Sequence, residues 1–137
     1  MTAGVLQNNS SLAHGGNWFA EIGNGGTGAH TDHVTQTVTI PSTKSAATLT
    51  FYLHTTTTET TTTKTPDILY VRIYNASGTL LATPATYSNL NATSGYVQET
   101  VDMTPYIGQK VQIDFVGVNN ATLETTWDLD DVTLNTP

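Results

Sequence analysis

Apolar side chains recur at every second position along most of this chain. In residues 48–54 leucine and phenylalanine alternate with threonine, tyrosine and histidine, and in residues 69–74 leucine, valine and isoleucine alternate with tyrosine and arginine. A period of two is that of a β-strand with one buried face, and helical spacing is hard to find in any window of eleven residues. The alternation therefore restricts the chain to an all-β fold.

Turn residues divide the alternating segments into eight or nine short strands. The turns include Asn75-Ala-Ser-Gly78 and Thr104-Pro-Tyr-Ile-Gly108, which combine the residue types that favour tight turns. The predicted strands cover residues 18–22, 34–40, 48–54, 69–74, a segment from 80, 96–103, 111–115 and 126–134. Short strands at this spacing predict an antiparallel β-sandwich of jelly-roll type, with residues 1–137 forming one domain.

A threonine-rich segment, TTTTETTTTKTPD, joins two of these strands at residues 55–67. Threonine is β-branched, stiff and strand-prone, so the segment is predicted to be a hairpin arm that pairs residues 48–54 with residues 68–74. A flexible linker is the alternative.

The last strand changes its inward parity in the middle. Trp127 and Leu129 share one parity and Val132 and Leu134 share the other, so the inward face switches between Asp130 and Asp131. A one-residue slip within a paired strand is what a β-bulge produces. Paired carboxylates beside a freed backbone carbonyl suit calcium, and Asp130, Asp131 and Glu21 are the candidate ligands of a structural Ca²⁺. The alternative is that the acids only discourage edge-to-edge association.

Composition excludes several function classes. The chain has no cysteine, so disulfides, thiolate zinc sites and thiol catalysis are excluded. Only four lysines and arginines oppose 11 acids, giving a net charge of -7, which makes nucleic acid and anionic membranes poor partners. Threonine fills roughly a fifth of the positions and takes over the solubilising role of charged residues.

Aromatic and polar side chains on the outward parity form a candidate ligand-binding face. If residues 48–54 and 68–74 pair, this face contains Tyr52, His54, Tyr70, Arg72 and Tyr74. Aromatic rings flanked by hydrogen-bonding groups suit sugar rings, and a peptide or another domain is the second candidate ligand. Ordinary cross-strand packing of tyrosines is the alternative.

The sequence contains little that indicates a catalytic site or a transition-metal site. His30 and His33 follow the glycine-rich turn at residues 23–28, but a structural zinc site needs four ligands and no second pair supplies them, so local hydrogen bonding is the expected role. No G-x-S-x-G elbow or triad context appears. The chain is therefore predicted not to be an enzyme.

The ordered features of the chain resemble a known class of accessory domain. The chain looks like the C-terminal accessory jelly-roll domains of secreted bacterial peptidases and related exoproteins, and like a divergent MAM or carbohydrate-binding-module sandwich. The resemblance covers nearly the whole chain and is carried by His14-Gly-Gly-Asn-Trp18, His30-Thr-Asp32, Val38-Thr-Ile-Pro41, Leu49-Thr-Phe51-Tyr-Leu-His54, Glu59-Thr-Thr, Asp67, Thr86-Tyr-Ser-Asn-Leu-Asn91, Gly95-Tyr96, Tyr106-Ile-Gly-Gln109 and Trp127-Asp-Leu-Asp-Asp131-Val.

This resemblance implies a non-catalytic module of a secreted, extracellular bacterial protein, excised from a longer chain. Its implied partners are a polysaccharide, a protein substrate surface or a neighbouring catalytic domain. In such modules a calcium site often lies between the first strand and the closing Asp pair. Members of these families usually open with a Phe-Glu pair followed by Gly-Trp, and this chain lacks that opening motif. An adhesive or structural spacer without a ligand, and a small hydrolase, are the alternative functions.

Overall fold

The computed structural model describes residues 1–24 and 28–137, and these residues form nine β-strands and two single-turn 3₁₀ helices. The strands are β1 (Leu6–Asn8), β2 (Trp18–Ile22), β3 (His30–Thr39), β4 (Thr48–Thr57), β5 (Ile68–Asn75), β6 (Leu80–Ser88), β7 (Val97–Asp102), β8 (Lys110–Asn119) and β9 (Thr125–Asn135), and the 3₁₀ helices are Asn89–Asn91 and Thr104–Tyr106. The predicted strands are confirmed, and β1 is an additional strand. Within the described ranges no helix is long and apolar enough to cross a membrane.

Two antiparallel sheets face each other. Sheet A has the strand order β1-β2-β9-β4-β7, and sheet B has the order β3-β8-β5-β6. From β2 to β9 the chain changes sheets at every connection except that between β5 and β6, which pair with each other in sheet B, and this is the arrangement of a jelly roll built from two Greek keys. The predicted all-β jelly-roll sandwich is confirmed.

The core lies between the sheets and is built from the inward parity of each strand. On β4, Leu49, Phe51 and Leu53 are at most 3% exposed, while the residues between them remain half-buried. The outward positions of sheet A and sheet B are therefore two separate surfaces on opposite sides of the sandwich.

Trp127 anchors one end of the core, and two glycines make room for its ring. Trp127 is fully buried, and an added Cβ at Gly117 would overlap Cγ2 of Ile22 and lie 3.3 Å from the Trp127 ring. A Cβ at Gly23 would overlap the carbonyl oxygen of Thr125. Close packing of this kind leaves no space for an extra methyl group.

The β-bulge predicted in the last strand is present. Thr50 pairs with Thr133 and Tyr52 pairs with Asp130, so the two residues Asp131 and Val132 oppose one residue of β4. Asp131 has φ 47°, a left-handed conformation that bulges use to re-aim a strand. The inward parity of β9 switches at this point, as the alternation of its apolar residues predicts.

The predicted hairpin between residues 48–54 and 68–74 is wrong. Strand β4 pairs with β7 and β9 in sheet A, whereas β5 pairs with β6 and β8 in sheet B. The threonine-rich residues beyond Thr57 cross from one sheet to the other, and Thr58 is tied to Glu124 by hydrogen bonds in both directions. Alternation fixes which face of a strand is buried, but it does not identify the neighbouring strand.

Candidate functional site

A patch of acids and aromatic rings occupies the outer surface of sheet A. Glu21 of β2 lies opposite Asp128 of β9, which lies opposite His54 of β4. Two residues further along β9 and on the same face, Asp130 lies opposite Tyr52 of β4. These side chains point outward because their neighbours in sequence fill the core.

The loop between β1 and β2, residues 9–17, is held over this patch by the bulge in β9. The backbone N–H groups of His14 and Gly15 donate to Oδ2 of Asp130 at 2.9 and 3.0 Å. Nδ1 of His14 lies 2.7 Å from Oδ2 of Asp131. A Cβ at Gly15 would lie 2.8 Å from the same Asp131 oxygen, so a larger residue there would require the Asp131 side chain to shift.

Four rings meet under this loop. The ring of His14 stacks on Tyr52 with centroids 3.8 Å apart, and its edge approaches Tyr96 at 5.3 Å. The ring of His54 lies 5.6 Å from the same tyrosine, whose hydroxyl donates to the carbonyl oxygen of Leu12 at 3.0 Å. We call these four rings and the adjacent acids Glu21, Asp128 and Asp130 the sheet A site.

Two carboxylate oxygens in the sheet A site have no donor. Oε1 of Glu21 and Oδ1 of Asp128 are buried without a hydrogen-bond partner within the described residues, and Nδ1 of His54 lies 3.8 Å from the other Asp128 oxygen. Buried acceptors are normally satisfied, so these two oxygens need a proton, a water molecule or a ligand hydroxyl. The sheet A site therefore has unused capacity to accept hydrogen bonds.

The electrostatics of the sheet A site follow from crowded acids. Burial, together with the Glu21 charge, raises the pKa of Asp128 to about 7. Burial and the charge of Glu124 raise the pKa of Glu21. Burial raises the pKa of Tyr96, and so do the charges of Asp128, Asp130, Asp131 and Glu21. The four lysines and arginines of the chain lie in other places, two in connecting segments and two in sheet B.

The structure divides the predicted ligand-binding face between two surfaces. Tyr52 and His54 lie on the outer surface of sheet A, whereas Tyr70, Arg72 and Tyr74 lie on the outer surface of sheet B. The prediction of one continuous face is wrong because its two strands belong to different sheets. Ligand binding at either surface stays a prediction.

The predicted calcium ligands have other partners. Asp130 accepts hydrogen bonds from the backbone of His14, Gly15 and Asp131, and Asp131 contacts the ring of His14. In the described ranges, no group of three or more histidine, aspartate or glutamate side chains is arranged to hold a metal ion. The bulge carboxylates thus accept hydrogen bonds from the loop between β1 and β2, and calcium binding stays a prediction.

The histidines of the glycine-rich turn have the local role expected of them. The two ring nitrogens of His30 contact the carbonyl oxygens of Gly28 and Gly23 at 3.0 and 2.9 Å, and His33 contacts Asp114. Hydrogen bonding to Gly28 is the main cause that raises the pKa of His30. Residues 25–27 of the predicted turn lie outside the described residues.

Sequence reasoning did not select His14, Tyr96 or Asp128 as site residues. Asp128 carried a signal, because it shares the outward parity of Asp130 in β9. His14 lies 116 positions from Asp130 in sequence, and no local pattern indicates that contact.

No protein-family profile matches the chain, and none of the curated proteins matches it. Solved structures do match its fold. The carbohydrate-binding module TmCBM61, solved in complex with β-1,4-galactotriose, superimposes with a TM-score of 0.63 at 12% identity, covering 93% of this chain and 77% of that one. The fold is one that carbohydrate-binding modules use.

Two further structures share this fold. The enzymatically active domain of tailspike protein 4 from bacteriophage CBA120 gives a TM-score of 0.60 at 13% identity over 96% of this chain and 17% of that chain. A family 16 carbohydrate-binding module gives a TM-score of 0.51 at 16% identity over 96% of this chain and 85% of that chain. At such low sequence identity, the superpositions show a likeness in fold alone.

Proposed function

We propose that this domain is a non-catalytic carbohydrate-binding module that holds sugar residues at the sheet A site. The observation that carries the proposal is that half-buried aromatic rings and acids with unused hydrogen-bonding capacity among the described residues lie together on one outer surface of the sandwich. Sugar rings stack their C–H faces on aromatic rings and donate hydroxyl hydrogens to acceptors. The ring cluster around His14 and Tyr96 offers the first kind of contact, and Glu21 and Asp128 offer the second.

The charge of the sheet A site favours a neutral sugar. Every charged side chain assigned to it is an acid, and the Glu21 charge adds to burial in raising the pKa of Asp128, so a further negative charge would meet repulsion here. A neutral polysaccharide supplies hydroxyl donors without adding an anion. The likeness in fold to modules that bind carbohydrate supports this choice of ligand class.

We also propose that the module belongs to an exported multidomain protein and brings a neighbouring catalytic domain to its substrate. The low content of charged residues, at 11%, and the threonine-covered strands support an extracellular setting. A peptidase or another hydrolase is the expected neighbour, and the sequence that flanks this domain in its parent chain is the direct test.

Binding is tested by affinity electrophoresis against neutral polysaccharides, with β-1,4-galactan, xylan and glucomannan as the first panel. One of them is expected to retard the wild-type domain. Tyr96→Ala and His14→Ala are expected to weaken binding about fivefold or more, since stacking on one aromatic ring contributes on the order of 1 kcal/mol and each 1.4 kcal/mol is tenfold in affinity.

Tyr70→Ala is the matched control, because it removes an aromatic ring of similar burial from the opposite surface. Unchanged binding in the Tyr96→Ala and His14→Ala variants would contradict the assignment of the site. Loss of binding in Tyr70→Ala alone would move the site to sheet B. Cleavage of any polysaccharide or peptide by the domain would contradict the non-catalytic assignment.

A further inference from the structure

The outer surface of sheet B has a different chemistry from the sheet A site. Tyr70, Arg72 and Tyr74 follow one another at alternate positions on β5 and point away from the core. Gln112 and Asp114 on β8 lie opposite Tyr74 and Arg72. Alternate residues on a strand stand about 6.6 to 6.8 Å apart, so the two tyrosines flank the arginine at that spacing.

Arg72 is the only arginine of the chain, and its closest ring contact is with Tyr70 of the same strand. Its Cζ atom lies 4.3 Å above the centre of the Tyr70 ring. Within residues 1–24 and 28–137 no group forms a hydrogen bond or ion pair with its nitrogens, and Nε is buried without a partner. The Tyr70 ring thus holds a planar donor group in place without using its N–H groups.

The carboxylate nearest in register to Arg72 is already engaged. Asp114 lies directly across from Arg72 but is 5% exposed, and its Oδ2 lies 3.1 Å from Nδ1 of His33 on β3. This contact ties Asp114 to β3, on the side away from Arg72. Arg72 therefore keeps its hydrogen-bonding capacity for a ligand.

We propose that the outer surface of sheet B is a second binding site, which takes a carboxylate-bearing polysaccharide through Arg72. A guanidinium group matches a carboxylate with two parallel N–H···O hydrogen bonds. Tyr70 orients the guanidinium group, and Tyr74, on the other side of Arg72, offers a ring to the sugars that carry and follow that carboxylate. An aromatic ring beside the guanidinium group favours a uronic acid chain over an acidic peptide, whose carboxylates would contact only the charge of Arg72.

The test measures binding of polygalacturonate by isothermal titration calorimetry. Polygalacturonate is expected to bind, and the fully methyl-esterified polymer, which has the same sugars without the charge, is expected to bind at least about tenfold more weakly, because hydrogen bonds to a charged group contribute the most. Equal affinity for the two polymers would overturn the proposal, and so would the absence of binding to polygalacturonate.

Variants separate Arg72 from general electrostatics. Arg72→Gln is expected to abolish binding, and Arg72→Lys to weaken it several-fold because lysine keeps the charge but loses the planar fork. Lys64→Gln, which removes the same charge from an exposed position between β4 and β5, is expected to change the affinity less than twofold. Equal losses in Arg72→Gln and Lys64→Gln would overturn the role of Arg72.

Further controls test the class of ligand, the fold of the variant and the independence of the two binding sites. Polyglutamate is the peptide counterpart, and binding as tight as that of polygalacturonate would overturn the assignment to a sugar. Near-ultraviolet circular dichroism of Arg72→Gln checks that the fold is retained. The neutral polysaccharide bound at the sheet A site is expected to bind Arg72→Gln as it binds the wild type, so the two proposals fail independently.

Discussion

The wild-type domain should lose stability as the pH rises from about 4 to about 7, and replacing Asp128 with asparagine should remove most of that loss. Burial and the neighbouring Glu21 raise the pKa of Asp128 from 3.8 to about 7 in the folded domain. The folded state therefore keeps this proton at pH values where the unfolded chain has released it. The free energy of unfolding must then fall as the pH rises from about 4 to about 7, and it stays low above that range.

The magnitude follows from the size of the shift. Each pKa unit is worth about 1.4 kcal/mol, so a shift of roughly three units sets an upper limit of about 4 kcal/mol. The Asp128 side chain is 13% exposed, and partial solvation lowers the expected effect to about 2 kcal/mol. Asparagine is nearly isosteric with aspartate and has no proton to release in this pH range.

The assay is urea unfolding of the wild type and Asp128→Asn at pH 4.5, 6 and 8. The raised pKa values of Glu21 and His30 also lower the free energy of unfolding as the pH rises. Because both groups are present in the wild type and the variant, the difference between the two pH dependences reports Asp128. The wild type should lose about 2 kcal/mol more than the variant between pH 4.5 and pH 8. Parallel pH dependences would refute the reasoning.

Three other outcomes test the packing and the predicted metal. Gly117→Ala should destabilise the domain by about 1 to 3 kcal/mol through overpacking, whereas Gly95→Ala, where an added Cβ meets nothing within 4 Å, should change stability little; equal urea midpoints would contradict this. Thr125→Val should cost about 1 to 3 kcal/mol, because the buried hydroxyl that donates to Asp67 at 2.7 Å is lost, and an unchanged midpoint would count against it. Calcium bound only to the folded state must raise the melting temperature, so a chelator should lower it if calcium is bound. An equal melting temperature with and without the chelator would contradict the calcium prediction.

The alternation of apolar residues was sufficient to predict the bulge and every strand except the short β1. Each strand has one face in the core, so the parity of residues such as Phe51 and Val71 reports that face directly. The switch of parity after Asp130 required an extra residue, and the register of β9 with β4 contains it. These features are local, which is why the sequence pattern carries them.

The alternation of apolar residues did not predict which strands pair or which residues form the sheet A site. Tyr52 and Tyr70 stand in equivalent alternating contexts, yet they lie on opposite sides of the sandwich because the chain changes sheets between them. His14 reaches Tyr52 only through a loop held by the far end of the chain. Such contacts depend on tertiary arrangement, which periodicity does not encode.

The central claim, that the sheet A site binds a neutral carbohydrate, is tested most directly by titrating the ¹⁵N-labelled domain with an oligosaccharide of the polysaccharide that it retains. The largest amide shift changes are expected at His14, Gly15, His54, Tyr96 and Asp128. Shift changes confined to β5 and β8, or none at saturating oligosaccharide, would contradict it.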